Sequence, residues 1–258
     1  MLAIIGGSGL TTLSNLDVSH REVVRTPYGE PSGALVFGQI CGRPAMFLPR
    51  HGYGHTIAPH MVNYRANMWA LHHFRATGVI SVASVGGIRA DLQPGDLVLP
   101  HQVIDYTWGR KSTLFEGNGS PVRHIDFTEP YDGDLRRRIQ AAADELGIVL
   151  KAGAVYAATQ GPRLETAAEI DRLERDGADV VGMTGMPEAV LARELGLPYA
   201  AVNVVANHAA GRGSSVNGIR FEQLEEVLQT AMGRVRQLIE RLVGCQPENG
   251  VCAPSTAP

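Results

Sequence analysis

Short runs of apolar, mostly β-branched residues recur along the chain, and most are bounded by glycine or proline. Runs of this length between turn-forming residues predict β-strands. The predicted strands are Leu2 to Ile5, Ala34 to Ile40, Ala45 to Leu48, Val79 to Val85, Leu97 to Leu99, Ala154 to Ala158, Val180 to Met183 and Tyr199 to Val205.

Between the later strands the apolar residues recur at helical spacing instead. One helix is predicted from the apolar face that Leu135, Ile139, Ala142, Ala143 and Leu146 form together, with Gly147 as its C-terminal stop. A second is predicted to open at Pro187, a first-turn proline, and to end at Gly196. The last runs from about Phe221 to Val243.

The order of these elements predicts the fold class. Strands in close succession in the first half, followed by alternating strands and helices, favour an α/β domain with a mixed central sheet flanked by helices. No linker divides the chain, so we expect a single domain over residues 1–243. Residues 244–258 are rich in turn formers and are predicted to be a disordered C-terminal tail.

Composition narrows the class of protein. The chain has 258 residues, of which 44% are hydrophobic and 19% charged, as in ordinary globular proteins. No apolar run is long enough to span a membrane, and no secretion signal is recognisable at Leu2 to Ile5, so a cytoplasmic location is expected. A formal charge of -3 without a Lys/Arg-rich run favours small-molecule partners over nucleic acid or membrane.

Metal binding is not predicted. The three cysteines, Cys41, Cys245 and Cys252, form no C-x-x-C pair. His55 and His60 are close in sequence, but their spacing is not a zinc pattern and no cysteine or carboxylate joins them.

Two turns at strand ends are candidates for holding an anion. Gly6-Gly7-Ser8-Gly9 can expose backbone N–H groups and a hydroxyl, although this segment alone favours a plain tight turn. A dinucleotide-binding turn would need a small residue where Thr12 stands, which disfavours an oxidoreductase. Arg50-His51 follows an apolar strand and suits an oxyanion, against the alternative of a solvated surface pair.

Three further positions lie where a strand leads into a helix or turn. Thr184 could hold an anion with the free amides of its turn, or could simply cap the following helix. Glu165 is expected in a first helical turn and Asn207 at a strand end, and each has a purely structural alternative. No G-x-S-x-G elbow or reactive cysteine is recognisable, so an enzyme here would bring its nucleophile as a substrate.

The conjunction of motifs is more specific than any of them alone. The segments IIGGSGL, RHGYGHTIAPHMVNYRANMWAL, SVGGIRADLQPGDLVLPHQVIDYT, TQGPRLETAAEI and GADVVGMTGMPEAVLARELGLPYA, in this order, resemble the methylthioadenosine phosphorylase and purine nucleoside phosphorylase family over roughly residues 2 to 243. The resemblance implies a nucleoside-phosphorylase-type fold, a homotrimer with sites near subunit interfaces, and no cofactor, because inorganic phosphate is a co-substrate.

The resemblance also assigns residues to the phosphate and to the ribose. It places phosphate among Ser8, Arg50, His51, Ala83, Ser84 and Thr184. Ala83 departs from the methylthioadenosine enzymes, which have a threonine there. Met183 is expected against the ribose, and His124 is expected to reach the site of a neighbouring subunit.

Base recognition is where the chain departs from the adenine-specific branch, which has a small residue at Glu165 and aspartates at Asn207 and Ala209. Hypoxanthine presents an N–H donor at N1 and a carbonyl at O6, which suit a carboxylate and an amide NH2. Glu165 with Asn207 therefore predicts a 6-oxopurine, and Leu164 and His208 lie beside them as further predicted substrate contacts.

The 5' end of the ribose completes the prediction. Nucleoside phosphorylases for inosine bind the 5'-hydroxyl with a histidine, but the chain from Gly213 to Val243 contains none and offers Ile219, Phe221 and Leu224. We therefore expect phosphorolysis of 5'-methylthioinosine to hypoxanthine and 5-methylthioribose 1-phosphate, with Asn207 as the catalytic residue. The alternatives are a phosphorylase for inosine or guanosine, a methylthioadenosine phosphorylase, and a catalytically silent nucleoside-binding protein.

Overall fold

The computed structural model describes residues 1–116 and 122–244. The predicted tail, residues 244–258, lies outside these residues except for Gly244, which is the last residue of the final described helix. Within the described part of the chain, no helix combines the length and the apolar composition needed to cross a membrane.

A nine-stranded mixed sheet forms the centre of the domain. Its strands are β1 (Leu2–Gly6), β2 (Asp17–Glu22), β3 (Leu35–Ile40), β4 (Arg43–Pro49), β5 (Gly78–Gly87), β6 (Leu97–Asp105), β7 (Leu150–Ala158), β8 (Val180–Gly182) and β9 (Tyr199–His208). The order is β2-β3-β4-β1-β5-β8-β7-β6-β9, with a further pairing of β5 and β9. Because β9 pairs with both β5 and β6, the second half of the sheet closes into a ring of pairings.

The parallel pairs set the position of the site. β4, β1, β5 and β9 are mutually parallel neighbours in that order, so their carboxyl ends lie along the same edge. In sheets of this kind, ligands bind outside the carboxyl ends of the strands. Ser8, Arg50 and Asn207 follow or end three of these strands and are brought to one place by this register.

Five α-helices flank the sheet: α1 (Tyr64–His73), α2 (Gly133–Glu145), α3 (Ala167–Arg175), α4 (Gly185–Glu194) and α5 (Phe221–Gly244). Side-chain caps explain several of their starts. Asp132 accepts from the Leu135 amide at the start of α2, and Thr166 forms a reciprocal capping box with Glu169 at the start of α3. Gly147, with φ of 65°, follows α2 as the predicted stop.

The helices bury both faces of the sheet. Apolar residues of α2 and α5, including Ile139 and Leu238, pack on one face in a large buried cluster. Met68 of α1 and Leu191 of α4 belong to a second cluster on the opposite face. The predicted mixed sheet flanked by helices in one domain is confirmed.

The differences from the predicted elements have physical causes. All eight predicted strands form, but β2 was missed because its sequence DVSHRE is polar and all six residues are exposed. Helix α1 was also missed, because its apolar periodicity is weak.

Two helix starts were predicted wrongly. Helix α4 begins at Gly185, and the backbone is non-helical at Met186 and Pro187, so Pro187 is not a regular first-turn proline. Glu165 is not in a first helical turn, because Thr166 caps the helix and the first helical residue is Ala167.

Candidate active site

A cavity of about 810 Å³ lies at the carboxyl edge of the sheet and gathers most of the predicted site residues. The predicted residues that line it are Ser8, Arg50, His51, Ala83, Ser84, Leu164, Glu165, Met183, Thr184, Asn207, Ala209, Ile219, Phe221 and Leu224. A volume of this size suits a nucleoside-sized ligand.

Two predicted contacts lie elsewhere. Nδ1 of His208 accepts from the Ser214 backbone N–H at 3.3 Å and lies 3.0 Å from the Ser214 hydroxyl, so its ring holds the loop after β9. The prediction that His208 binds substrate is therefore not supported by its position. His124 is exposed and is not part of this cavity.

Arg50 is fully buried at one end of the cavity and forms an ion pair with Glu188, which is also fully buried. Nε and Nη2 of Arg50 donate to the two carboxylate oxygens of Glu188 at 2.7 and 3.0 Å. Ser81 and Tyr199 also donate to the carboxylate, at 2.7 and 2.8 Å. Although burial opposes the charge of Arg50, the field and hydrogen bonds of Glu188 outweigh it and raise the pKa of the guanidinium above its ordinary value.

This pairing uses most of the hydrogen-bonding capacity of the Arg50 guanidinium. Glu188 and Ser81 take the hydrogens of Nε and Nη2, and the Val82 carbonyl accepts from Nη1 at 2.9 Å. Among the hydrogen bonds of the described residues, one hydrogen of Nη1 is left for a ligand. Gly7 has to be glycine here, because a Cβ on it would lie 2.7 Å from Nη1.

Two histidines lie against the same end. Nδ1 of His51 is 2.7 Å from the Ile57 carbonyl oxygen, and the ring centroids of His51 and His55 are 4.6 Å apart. Burial, then the neighbouring charge of Arg50, lowers the pKa of His51 to about 4. Nε2 of His55 lies 3.4 Å from the Ser8 hydroxyl, and burial lowers the pKa of His55 as well. Both rings are therefore neutral near pH 7.

Thr184 completes this end of the cavity. It occupies the N-cap position of α4, but its side chain makes no capping hydrogen bond, so the alternative of a purely structural cap is not supported. The Thr184 backbone N–H donates to the buried Tyr156 hydroxyl at 3.3 Å.

The base-recognition pair is held by its neighbours. One carboxylate oxygen of Glu165 accepts from the Thr159 hydroxyl at 2.7 Å, which leaves the other oxygen for a donor on a ligand. Nδ2 of Asn207 donates one hydrogen to the His208 carbonyl at 2.6 Å and retains a second. Both side chains are thus restrained while each keeps a group for the cavity.

Arg110, which the sequence analysis did not single out, links two turns that lead into residues lining the cavity. Its Nη1 donates to the carbonyls of Met183 and Met186 at 2.8 and 2.6 Å. Its Nη2 donates to the carbonyls of Thr159 and Gln160 at 3.2 and 2.9 Å. Nothing in its local sequence signals this role, because the four carbonyls come from two distant turns.

Another part of the cavity lining, here called the apolar wall, consists of apolar side chains. Ile219, Phe221, Leu224 and Leu228 form it from the start of α5 and the residues just before it. Phe221 is 64% exposed, so this wall is open to solvent. Among the described residues, no group of three or more His, Cys, Asp or Glu side chains has the arrangement of a metal site.

Comparisons with known proteins identify the family of this chain. The sequence profile of the phosphorylase superfamily matches residues 1–244. The chain is 49% identical over 241 residues to a protein of Pseudomonas syringae pv. tomato named "Probable S-methyl-5'-thioinosine phosphorylase", covering 93% of this chain and 97% of that protein. It is 40% identical to the 6-oxopurine nucleoside phosphorylase of Pyrococcus furiosus, covering 97% and 95% of the two chains.

A solved structure extends the comparison to the fold. Methylthioadenosine phosphorylase from Schistosoma mansoni, in complex with adenine, superposes with a TM-score of 0.90 at 32% identity. The match covers 94% of this chain and 90% of that one.

Proposed function

This chain belongs to the phosphorylase superfamily, and from that premise we propose that it is a purine nucleoside phosphorylase whose preferred substrate is 5'-methylthioinosine. Such an enzyme is a pentosyltransferase, since it moves a pentosyl group from the base to inorganic phosphate. The products would be hypoxanthine and 5-methylthioribose 1-phosphate.

The observation that carries the proposal is that three kinds of chemistry line one cavity. Its lining includes the polar residues Arg50, His51 and Thr184, the pair Glu165 and Asn207, and the apolar residues around Phe221. An anion, a 6-oxopurine and a methylthio group require these three environments. A methylthio group would gain apolar contacts with these side chains, whereas a 5'-hydroxyl would find no hydrogen-bond partner among them, a difference of about 1 to 3 kcal/mol.

In the proposed reaction, phosphate attacks the anomeric carbon while the bond to the purine breaks through an oxocarbenium-like transition state. Negative charge grows on the departing base, and the free N–H of Asn207 stabilises it as a preorganised donor. Ser8, Thr184 and the remaining N–H of Arg50 would hold phosphate against the sugar. Met183, which also lines the cavity, would contact the ribose.

Glu165 decides between this substrate and its adenine counterpart. Purine N1 is a donor in hypoxanthine and an acceptor in adenine, so an ionised carboxylate pairs with the first and repels the second. The named S. mansoni relative acts on methylthioadenosine, but it shares only 32% of the sequence. The P. furiosus relative, named for 6-oxopurine nucleosides, supports inosine or guanosine as the second candidate substrates.

The experiment is base release from methylthioinosine, inosine, guanosine and methylthioadenosine, each with and without phosphate. We expect phosphate-dependent release, with methylthioinosine giving the highest kcat/KM. In Glu165→Gln the preference for methylthioinosine over methylthioadenosine should narrow, whereas the exposed Glu129→Gln should leave it unchanged. Phosphate-independent release, or a wild-type preference for methylthioadenosine, would contradict the proposal.

A homotrimer and a cytoplasmic location remain part of the proposal, as does the use of phosphate without a cofactor. The position of His124 supports a shared site, because this side chain is exposed and lies outside the cavity of its own chain. In a trimer, it would be free to reach a neighbouring subunit.

A further inference from the structure

The ring of His51 has a defined hydrogen on one of its two nitrogens. Nδ1 lies 2.7 Å from the carbonyl oxygen of Ile57. A carbonyl oxygen can only accept, so Nδ1 must carry the hydrogen of this bond. Nε2 makes no hydrogen bond to protein among the described residues and is the ring nitrogen available to a ligand in the cavity.

The surroundings of His51 keep its ring neutral. Burial and the Arg50 charge lower its pKa to about 4, and His55 acts in the same direction. Glu188 acts in the opposite direction, but its carboxylate is already paired with Arg50 and hydrogen-bonded by Ser81 and Tyr199. With Nδ1 protonated and the ring neutral, Nε2 presents a lone pair.

The part of the cavity around Arg50 therefore offers a hydrogen-bond acceptor as well as hydrogen-bond donors. Arg50 retains an N–H of Nη1, and the hydroxyls of Ser8 and Thr184 can donate. Nε2 of His51 can accept only a proton that the anion itself carries. Near neutral pH every form of inorganic phosphate carries at least one proton, whereas sulfate carries none.

We propose that Nε2 of His51 accepts a hydrogen bond from the P–OH group of bound phosphate, and that this contact selects hydrogen phosphate over oxyanions without a proton. The inference rests on the phosphate site of the proposed function and adds a specificity determinant to it. Because the protonated oxygen is held at His51, an unprotonated oxygen is left to face the anomeric carbon.

A thermodynamic consequence separates the two anions. Sulfate would set an oxygen lone pair against that of Nε2, so it binds only if His51 takes up a proton from solvent. Sulfate binding is thus coupled to protonation of His51. Between the pKa of the free ring, about 4, and the raised pKa of the ring in the sulfate complex, sulfate affinity falls by about tenfold for each pH unit. Hydrogen phosphate supplies the proton itself, and its binding requires no uptake.

The test is calorimetric titration of the intact protein with phosphate or sulfate at about pH 8, where free phosphate is mainly the monohydrogen dianion, in two buffers of different ionisation enthalpy. The difference in heat between the buffers counts the protons taken up. We expect about one proton for sulfate and about none for phosphate.

His51→Gln is the diagnostic variant, because a glutamine amide can turn its NH2 group towards either anion. Proton uptake with sulfate should disappear, and the ratio of phosphate to sulfate affinity should fall by at least about tenfold. His55→Gln is the matched control, since His55 is a second neutral histidine lining the same cavity, and it should retain the uptake.

The outcomes are distinguishable from failure of the proposed function. Sulfate binding without proton uptake in the wild type, or uptake lost in His55→Gln instead, would overturn the role of His51 while leaving phosphorolysis intact. Equal affinity for the two anions at about pH 8 would also overturn it. Absence of phosphate binding would overturn the phosphate site itself and, with it, the proposed reaction.

Discussion

At the buried end of the cavity, Arg50 and Glu188 are fully buried and held by a network that includes Ser81 and Tyr199. On the apolar wall, Phe221 is 64% exposed at the first position of α5. The first region is part of the protein core, whereas the second is a surface wall that faces solvent.

The difference indicates how function and stability are distributed. A buried ion pair depends on both of its members, because removal of one leaves an uncompensated charge away from water. An exposed apolar side chain contributes little to the folding free energy, so its substitution can alter substrate selectivity without destabilising the fold. We therefore expect changes at the buried end to affect folding and catalysis together, and changes at the apolar wall to affect substrate choice only.

Glu188→Ala should have the largest effect, because it leaves the Arg50 charge buried without its partner. We expect the free energy of unfolding to fall by about 3 to 5 kcal/mol, measured by chemical denaturation. The exposed Glu225→Ala on α5 is the control and should stay within about 0.5 kcal/mol of the wild type. A loss below about 1 kcal/mol for Glu188→Ala would contradict the view that this end is part of the core.

Asn207→Ala tests the middle of the cavity, where a side chain is restrained but only half-buried. Loss of the donor to the departing base should lower kcat about 100- to 1000-fold, while the free energy of unfolding changes far less than in Glu188→Ala. The exposed Asn217→Ala serves as the control. If kcat fell by less than about tenfold, Asn207 would not be the group that stabilises the leaving base.

Phe221→His should have the smallest effect and should be confined to selectivity. In the wild type we expect kcat/KM for methylthioinosine to exceed that for inosine by about tenfold or more. A histidine at Phe221 would give the 5'-hydroxyl a partner and narrow this ratio. Val216→His, at an exposed position of the preceding loop that does not line the cavity, should leave the ratio unchanged. Marked destabilisation by Phe221→His would contradict the contrast drawn above, because it would show that the apolar wall also contributes to folding.

Most of the fold could be predicted from the sequence, because buried strands such as Leu2–Gly6 are continuous apolar runs bounded by glycine. The exposed strand Asp17–Glu22 could not, since all of its side chains face solvent and it is held by backbone pairing with β3. Helix Tyr64–His73 was missed because polar residues and histidines interrupt its apolar periodicity.

The membership of the site was also largely predictable, because glycine-rich turns at strand ends and the motif resemblance both pointed to the residues that line the cavity. The roles of those residues were less so. His208 lies in the predicted segment, but its ring binds the loop at Ser214, and Arg110 was found only when four carbonyls from two turns converged on it.

The sequence by itself determined which segments form the sheet, which turns follow the strands, and that Glu165 and Asn207 are the residue types suited to a 6-oxopurine. Only the tertiary structure decided that Glu188 pairs with Arg50 across a separation of 138 residues, and that Ile57 defines the hydrogen of His51. The reason is physical: strand propensity and turn chemistry act between neighbours in the chain, whereas charge pairing, burial and ring protonation depend on whichever groups the completed sheet brings within a few ångströms.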